Sequence, residues 1–141
     1  MQYFLLAIIS TCFTSFNIFA QEHHHGNKSN IAAQPIIQIM QNMNENLANL
    51  SKAIMLDDYA TITLSAYKIA NHPPISKEDI DALFKRLGEK KKDFIACDTS
   101  VHNLPVDIAK AGKKQDMPVI LEAYSSMINK AAECHKNYRN F

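Results

Sequence analysis

Tryptophan is absent from this 141-residue chain, and only three of its residues are glycine. No segment alternates apolar and polar residues with a period of two, so the sequence predicts no β-strand. A chain of this length that is rich in Ala, Leu, Lys and Met favours a single helical domain. The formal net charge of +1 argues against nucleic acid as a partner, because nucleic-acid binding usually leaves a strongly basic footprint.

Motifs of the common catalytic sites are also missing. The chain has no Ser-His-Asp order, no Gly-rich phosphate loop and no paired-carboxylate motif. His72 and His102 stand 30 positions apart, without the spacing of metal ligands, and are predicted to be helix-end or surface residues. We therefore expect a protein that is not an enzyme.

Charged side chains are missing from the first 20 residues, MQYFLLAIISTCFTSFNIFA. This apolar run ends in Ile18-Phe19-Ala20, which predicts a signal peptide over residues 1–20 that is cleaved before Gln21. The run lacks the Lys or Arg that usually begins a signal peptide, so an uncleaved membrane anchor is the alternative. We expect a periplasmic mature chain that has no membrane contact after cleavage and keeps two cysteines, Cys97 and Cys134.

Residues 21–34 form a polar segment that contains a run of three histidines and is predicted to be disordered. Cleavage before Gln21 would place His23 third in the mature chain. A free amine, two amides and a histidine in third position form a square-planar site that suits Cu(II) or Ni(II). Cyclisation of the terminal glutamine would block the amine, and a short His run is often incidental.

Four segments after residue 35 have the apolar pattern of helices with one buried face; the steps are mostly three and four, except in the second segment, where they are two and three. Asp57 or Asp58 is predicted to cap the second helix and Ser76 the third, and Gly112 is predicted to end the third. The fourth helix is predicted to start near Asp116 or Pro118. Short connections between such helices predict an all-α, antiparallel up-down-up-down four-helix bundle over residues 35–141. The predicted inward residues are Ile36, Met40, Met43, Leu47, Leu50 and Ile54; Ile62, Leu64, Tyr67 and Ile69; Leu83, Leu87, Phe94, Cys97, Val101, Leu104 and Ile108; and Leu121, Tyr124, Ile128, Ala131, His135 and Tyr138.

A histidine and a methionine fall on two of these inward faces. His135 lies near the end of the fourth helix and Met40 near the start of the first, which meet at one end of an antiparallel bundle. His and Met together form an axial ligand pair for haem iron. The simpler interpretation is that His135 is a satisfied core histidine and Met40 fills the core.

The tail Ala131-Ala132-Glu133-Cys134-His135 is a C-x-x-C-H haem-attachment sequence that lacks its first cysteine. Together with Tyr138-Arg139 it resembles the C-terminal motif of the class II cytochromes c, the cytochrome c-prime group. The chain is similar also to the soluble periplasmic four-helix-bundle cytochrome b, whose tail has no haem-binding cysteines. Further likenesses to that cytochrome are the segment from Met40 to Leu47, Lys92-Asp93-Phe94 and Pro73-Pro74.

The resemblance implies a periplasmic electron-transfer protein with Met40 and His135 as the axial haem ligands. It further implies that Phe94 lies against the porphyrin and that Arg139, after Tyr138, lies near the propionates, with which a guanidinium can pair. Ala131 departs from the family, so the haem would be b-type and noncovalent, or c-type with one thioether through Cys134. The redox partner is not identified by the sequence, and the chain is expected to be a monomer or a dimer.

Cys97 is open to three interpretations: a small buried hydrophobic residue, a disulfide partner of Cys134, or a haem-linking or ligating residue. The competing hypothesis for the whole chain is a haem-free periplasmic four-helix bundle that binds metal, Cu or Ni, or interacts with a partner. The histidine run and the incomplete attachment motif favour that second hypothesis.

Overall fold

The structure, a computed structural model, describes residues 31–139, and these are almost entirely helical. This confirms the expected all-α class, and no strand forms within the described range. The predicted signal peptide, His23 and most of the predicted disordered segment lie outside these residues. The helices are α1 (Ile36–Met55), α2 (Tyr59–Ala70), α3 (Lys77–Leu87), α4 (Lys91–Lys114) and α5 (Met117–Tyr138), with a short 3-10 turn, Gly88–Lys90, that links α3 to α4.

Three of these helices begin at a side-chain cap that the sequence identifies. The carboxylate of Asp58 accepts a hydrogen bond from the backbone N–H of Thr61, and Ser76 and Asp116 cap α3 and α5 in the same way. Such caps satisfy backbone donors that have no partner within the helix. The hydroxyl and the backbone N–H of Thr61 both donate to Asp58, which lowers the pKa of that carboxyl below its ordinary value.

The third helical segment is divided where a glycine takes a positive φ. Gly88 ends α3 with φ +53°, a conformation that residues with a Cβ rarely adopt. The predicted stop at Gly112 is wrong, because α4 continues to Lys114 and ends at Gln115 in the left-handed conformation. Gly112 is buried instead, at a close approach of α4 to α2.

Gly112 has no room for a side chain. A Cβ at this position would lie 2.5 Å from Thr63 Oγ1, and that hydroxyl donates to the carbonyl of Tyr59 at 2.8 Å. Overpacking costs about 1–3 kcal/mol, and the gain in helix propensity from Gly to Ala, about 1 kcal/mol, offsets part of it. We therefore expect Gly112→Ala to lower the free energy of unfolding in urea by about 1 kcal/mol.

The matched control for this substitution is Thr63→Ala, which removes the clashing hydroxyl. In that background Gly112→Ala should be neutral or stabilising, since only the propensity gain is left. An equal loss of stability in both backgrounds would contradict the close contact between α2 and α4.

The helices pack in a fixed order. α2 packs against α1 on one side and α4 on the other, and α4 packs against α5. The buried faces of α1, α2, α4 and α5 form one hydrophobic cluster; its fully buried members are Leu50, Ile62, Ala66, Ile108 and Ile120. None of the helices between residues 31 and 139 is long and apolar enough to cross a membrane.

One corner of the molecule joins the starts of α1 and α3. The backbone of Gln34 pairs with the segment around Ile75, its N–H donating to the carbonyl of Pro74 at 2.9 Å. The N–H of Ile36 donates to Asp79 Oδ2 at 2.8 Å. Because His72 and the two prolines that end α2 lead directly into this segment, the end of α2 lies at the same corner.

Candidate haem site

A disulfide joins α4 to α5 where the sequence predicts the haem. The sulfurs of Cys97 and Cys134 are bonded, and their Cα atoms are 6.1 Å apart, within the range that disulfides span. Of the three interpretations of Cys97, the structure therefore agrees with the second, in which Cys97 is the disulfide partner of Cys134. The sulfur of Cys134 is used in this bond, so it cannot also form a thioether to haem.

An aromatic pair lies about one turn from the disulfide. The rings of Phe94 and Tyr138 meet edge to face, with centroids 5.4 Å apart and an interplanar angle of 85°. Phe94 lies three residues before Cys97 on α4, and Tyr138 lies four residues after Cys134 on α5. Both helices thus present one face to each other, and we call these four half-buried residues the cystine seam.

His135 lies outside the cystine seam, which corrects its predicted position on the inward face of α5. Its side chain is exposed, whereas its neighbour Cys134 is half-buried and bonded to α4. Adjacent residues of a helix point about 100° apart, so a helix that turns Cys134 inward turns His135 towards solvent. The predicted inward position of Leu121 is wrong for the same reason. Leu121 is 46% exposed, and its neighbour Ile120 is fully buried.

Met40 is also more exposed than predicted. Its side chain is 39% exposed, while Ile39 beside it is fully buried. α1 makes its main contacts with α2 rather than with α5. The structure therefore does not bring Met40 and His135 together on buried faces as an axial pair.

Arg139 follows the last residue of α5 and is exposed. Its backbone N–H donates to the carbonyl of His135 at 3.0 Å, which continues the helical hydrogen-bonding pattern by one residue. Of the residues implied at the haem, the structure thus gathers Phe94, Cys134 and Tyr138 and leaves the charged and metal-ligating side chains in solvent.

These positions do not fit haem held by the predicted residues. The thioether sulfur is used in a disulfide, and both axial candidates are exposed. Surface clefts in the described part include one along residues 35–45 and one between α4 and α5 over residues 104–126. Neither is lined by Met40 or His135.

The sequence missed one pair of chemically active side chains. The imidazole rings of His72, after the end of α2, and His102, on α4, are 4.7 Å apart between centroids and nearly perpendicular at 89°. His72 Nδ1 lies 2.7 Å from the carbonyl oxygen of Pro73. Only packing of α2 on α4 brings these residues together, since 30 positions separate them in the chain.

Within residues 31–139 no group of three or more His, Cys, Asp or Glu side chains is placed to hold a metal ion. The Cu or Ni site predicted at His23 lies outside the described residues. Comparison of the chain with protein-family models, with curated proteins and with solved structures gives no match. The likeness to the class II cytochromes c therefore stays a prediction that depends on the motifs alone.

Proposed function

We propose that this protein is a haem-free, metal-binding four-helix bundle of the periplasm, with helices that alternate up-down-up-down. Residues 1–20 would direct export and then be cleaved, and the protein would have no catalytic role. The observation that carries the proposal is the bond between Cys97 and Cys134, because it uses the sulfur that a thioether to haem would need and holds α5 in the rotation that leaves His135 in solvent.

The disulfide also supports the proposed location. Disulfides form and persist in oxidising compartments such as the bacterial periplasm and are rare in the cytosol. The apolar first 20 residues support the same location, since they resemble a signal peptide. The histidines support metal as the ligand, because neutral imidazole is a good donor for Cu, Ni and Zn; after cleavage, His23 would be the third residue.

Electron transfer by haem is the second candidate. It is favoured by the convergence of Phe94, Cys134 and Tyr138 on one seam, as the resemblance to the cytochromes implies. To bring His135 into that seam, α5 would have to turn by roughly 100° about its axis. The disulfide opposes this rotation by fixing Cys134 against α4. Noncovalent haem binding is therefore expected only after the disulfide is reduced, and the redox partner would be a separate protein.

A haemin titration tests the two candidates. Haemin is added to the mature protein with its disulfide intact and is then reduced at an electrode. We expect no sharp, split visible bands of six-coordinate haem. We also expect a thiol assay on the unfolded protein to find no free thiol before treatment with a reductant and two after it. Both results follow from a disulfide that uses both cysteines.

The matched control is the Cys97→Ala/Cys134→Ala variant, in which no disulfide opposes rotation of α5. Split bands in the oxidised wild type that disappear in both Met40→Ala and His135→Ala would refute the haem-free proposal. A haem mass that survives acid–acetone extraction would refute it too, since it would require a thioether.

A further inference from the structure

The pair of His72 and His102 lies outside the cystine seam and is used by neither candidate function. Both side chains are half-buried, at the corner where the end of α2 meets α4. α2 and α4 pack closely against each other; His102 lies on α4, and His72 follows the end of α2 by two residues. Such support is what a binding site needs if its donors are to be placed in advance.

The contact of His72 with Pro73 fixes the tautomer of its ring. A carbonyl oxygen can only accept a hydrogen bond, so the proton of the neutral imidazole lies on Nδ1, which donates to Pro73 O at 2.7 Å. The lone pair of a neutral ring is then on Nε2. Metal-ligating histidines typically donate their second ring N–H to a backbone carbonyl or carboxylate in this way.

The distance between the rings suits a shared metal ion. Zinc lies about 2.0–2.1 Å from a ligating imidazole nitrogen, so two imidazoles on one tetrahedral ion have centroids about 5 Å apart. The observed separation is 4.7 Å, with the ring planes almost perpendicular. The separation of the two rings is therefore close to that of two imidazoles that share one ion.

The same corner contains a polar atom that lacks a partner. Gln34, whose backbone pairs with Pro74 and Ser76, has a buried side-chain oxygen without a hydrogen bond. A buried acceptor left in this state is costly, and an ordered water is one means of satisfying it.

We propose that His72 and His102 form a two-histidine site for a divalent late transition-metal ion, with solvent completing the coordination. The proposal specifies where the metal of the proposed metal-binding function is held, and it rests on that function. Imidazole nitrogen suits Zn²⁺, Cu²⁺ and Ni²⁺ and does not suit Mg²⁺ or Ca²⁺, which prefer oxygen.

The experiment is a Zn²⁺ titration by calorimetry of the full mature chain in which His23, His24 and His25 are replaced by Ala, so that the tail does not compete. We expect one Zn²⁺ to bind per chain. His72→Gln and His102→Gln, each in that background, should weaken binding by at least ~10-fold.

Two further measurements keep the test independent of folding defects. His135→Gln, a change at an exposed histidine elsewhere, should leave the Zn²⁺ affinity unchanged. Long-range ¹H–¹⁵N spectra of the tail variant should show Zn²⁺ shifting Nε2 of His72 while Nδ1 keeps its proton. Equal Zn²⁺ affinity in the His72→Gln and parent proteins, or an unshifted His72 ring at saturating Zn²⁺, would overturn the site.

The site and the proposed function fail in distinguishable ways. Split haem bands would overturn the haem-free proposal and would not alter the Zn²⁺ titration of His72. Absence of a Zn²⁺ effect on His72 and His102, with no haem bands, would overturn this site and leave the haem-free bundle standing.

Discussion

Reduction of the Cys97–Cys134 disulfide is expected to lower the free energy of unfolding by about 4 kcal/mol. The bond closes a loop across 37 positions of sequence, and the loss of loop-closure entropy in the unfolded chain corresponds to roughly that amount. Urea unfolding, followed by circular dichroism with and without a reductant, measures the difference. The end of α5 should also exchange its amide hydrogens faster after reduction, since the disulfide lies within the last two turns of that helix.

The variant Cys97→Ala/Cys134→Ala is the control for this experiment. It should lose a similar amount of stability and should not respond to the reductant. If the reductant left the unfolding midpoint of the wild type unchanged, the two sulfurs would not be bonded in the folded protein. The haem-free proposal would then lose its main support, which is the disulfide.

The substitutions Ile120→Ala and Leu121→Ala should lower the free energy of unfolding by very different amounts, although the two residues are adjacent on α5. Ile120 is fully buried in the hydrophobic cluster, and truncating such a side chain costs about 2–5 kcal/mol. Leu121 is 46% exposed, so its truncation should cost less than about 1 kcal/mol. Urea unfolding of both variants measures the difference, and each variant is the control for the other.

This comparison also tests the position of the candidate haem ligand. The face of α5 that buries Ile120 carries Cys134, whereas the predicted face that buries Leu121 carries His135. A larger cost for Leu121→Ala than for Ile120→Ala would mean that α5 is turned as the sequence predicts. His135 would then point inward, and haem ligation would regain its structural basis.

The caps and most of the buried faces were predictable because they depend on neighbours in the chain. Asp58, Ser76 and Asp116 begin helices as short polar residues that accept from an N–H three positions later. The predicted inward residues of α3 and α4 are all buried or half-buried, since their spacing fits a helix with one apolar face. The helices expected from periodicity occur, although the third is divided at Gly88.

The orientation of two helices was not predictable from spacing. On α5, steps of three and four connect Leu121, Tyr124 and Ile128 as well as they connect Ile120, Ala123 and Met127, so the sequence fits either face. On α2, Leu64 and Tyr67 are exposed, whereas the small residues Ser65 and Ala66 are buried. Small residues bury little surface alone, but they permit close approach of helices.

The sequence by itself determined that this chain is helical, where its capped helices begin, and that Phe94, Cys97 and Tyr138 lie on inward faces.

 These features depend on residue type and on spacing along one helix, so neighbouring residues decide them. Only the tertiary structure decided that Cys134, and not His135, faces α4, and that His72 meets His102. A rotation of one helix by a single residue changes which side chain is buried, and only packing against the neighbouring helix selects that rotation.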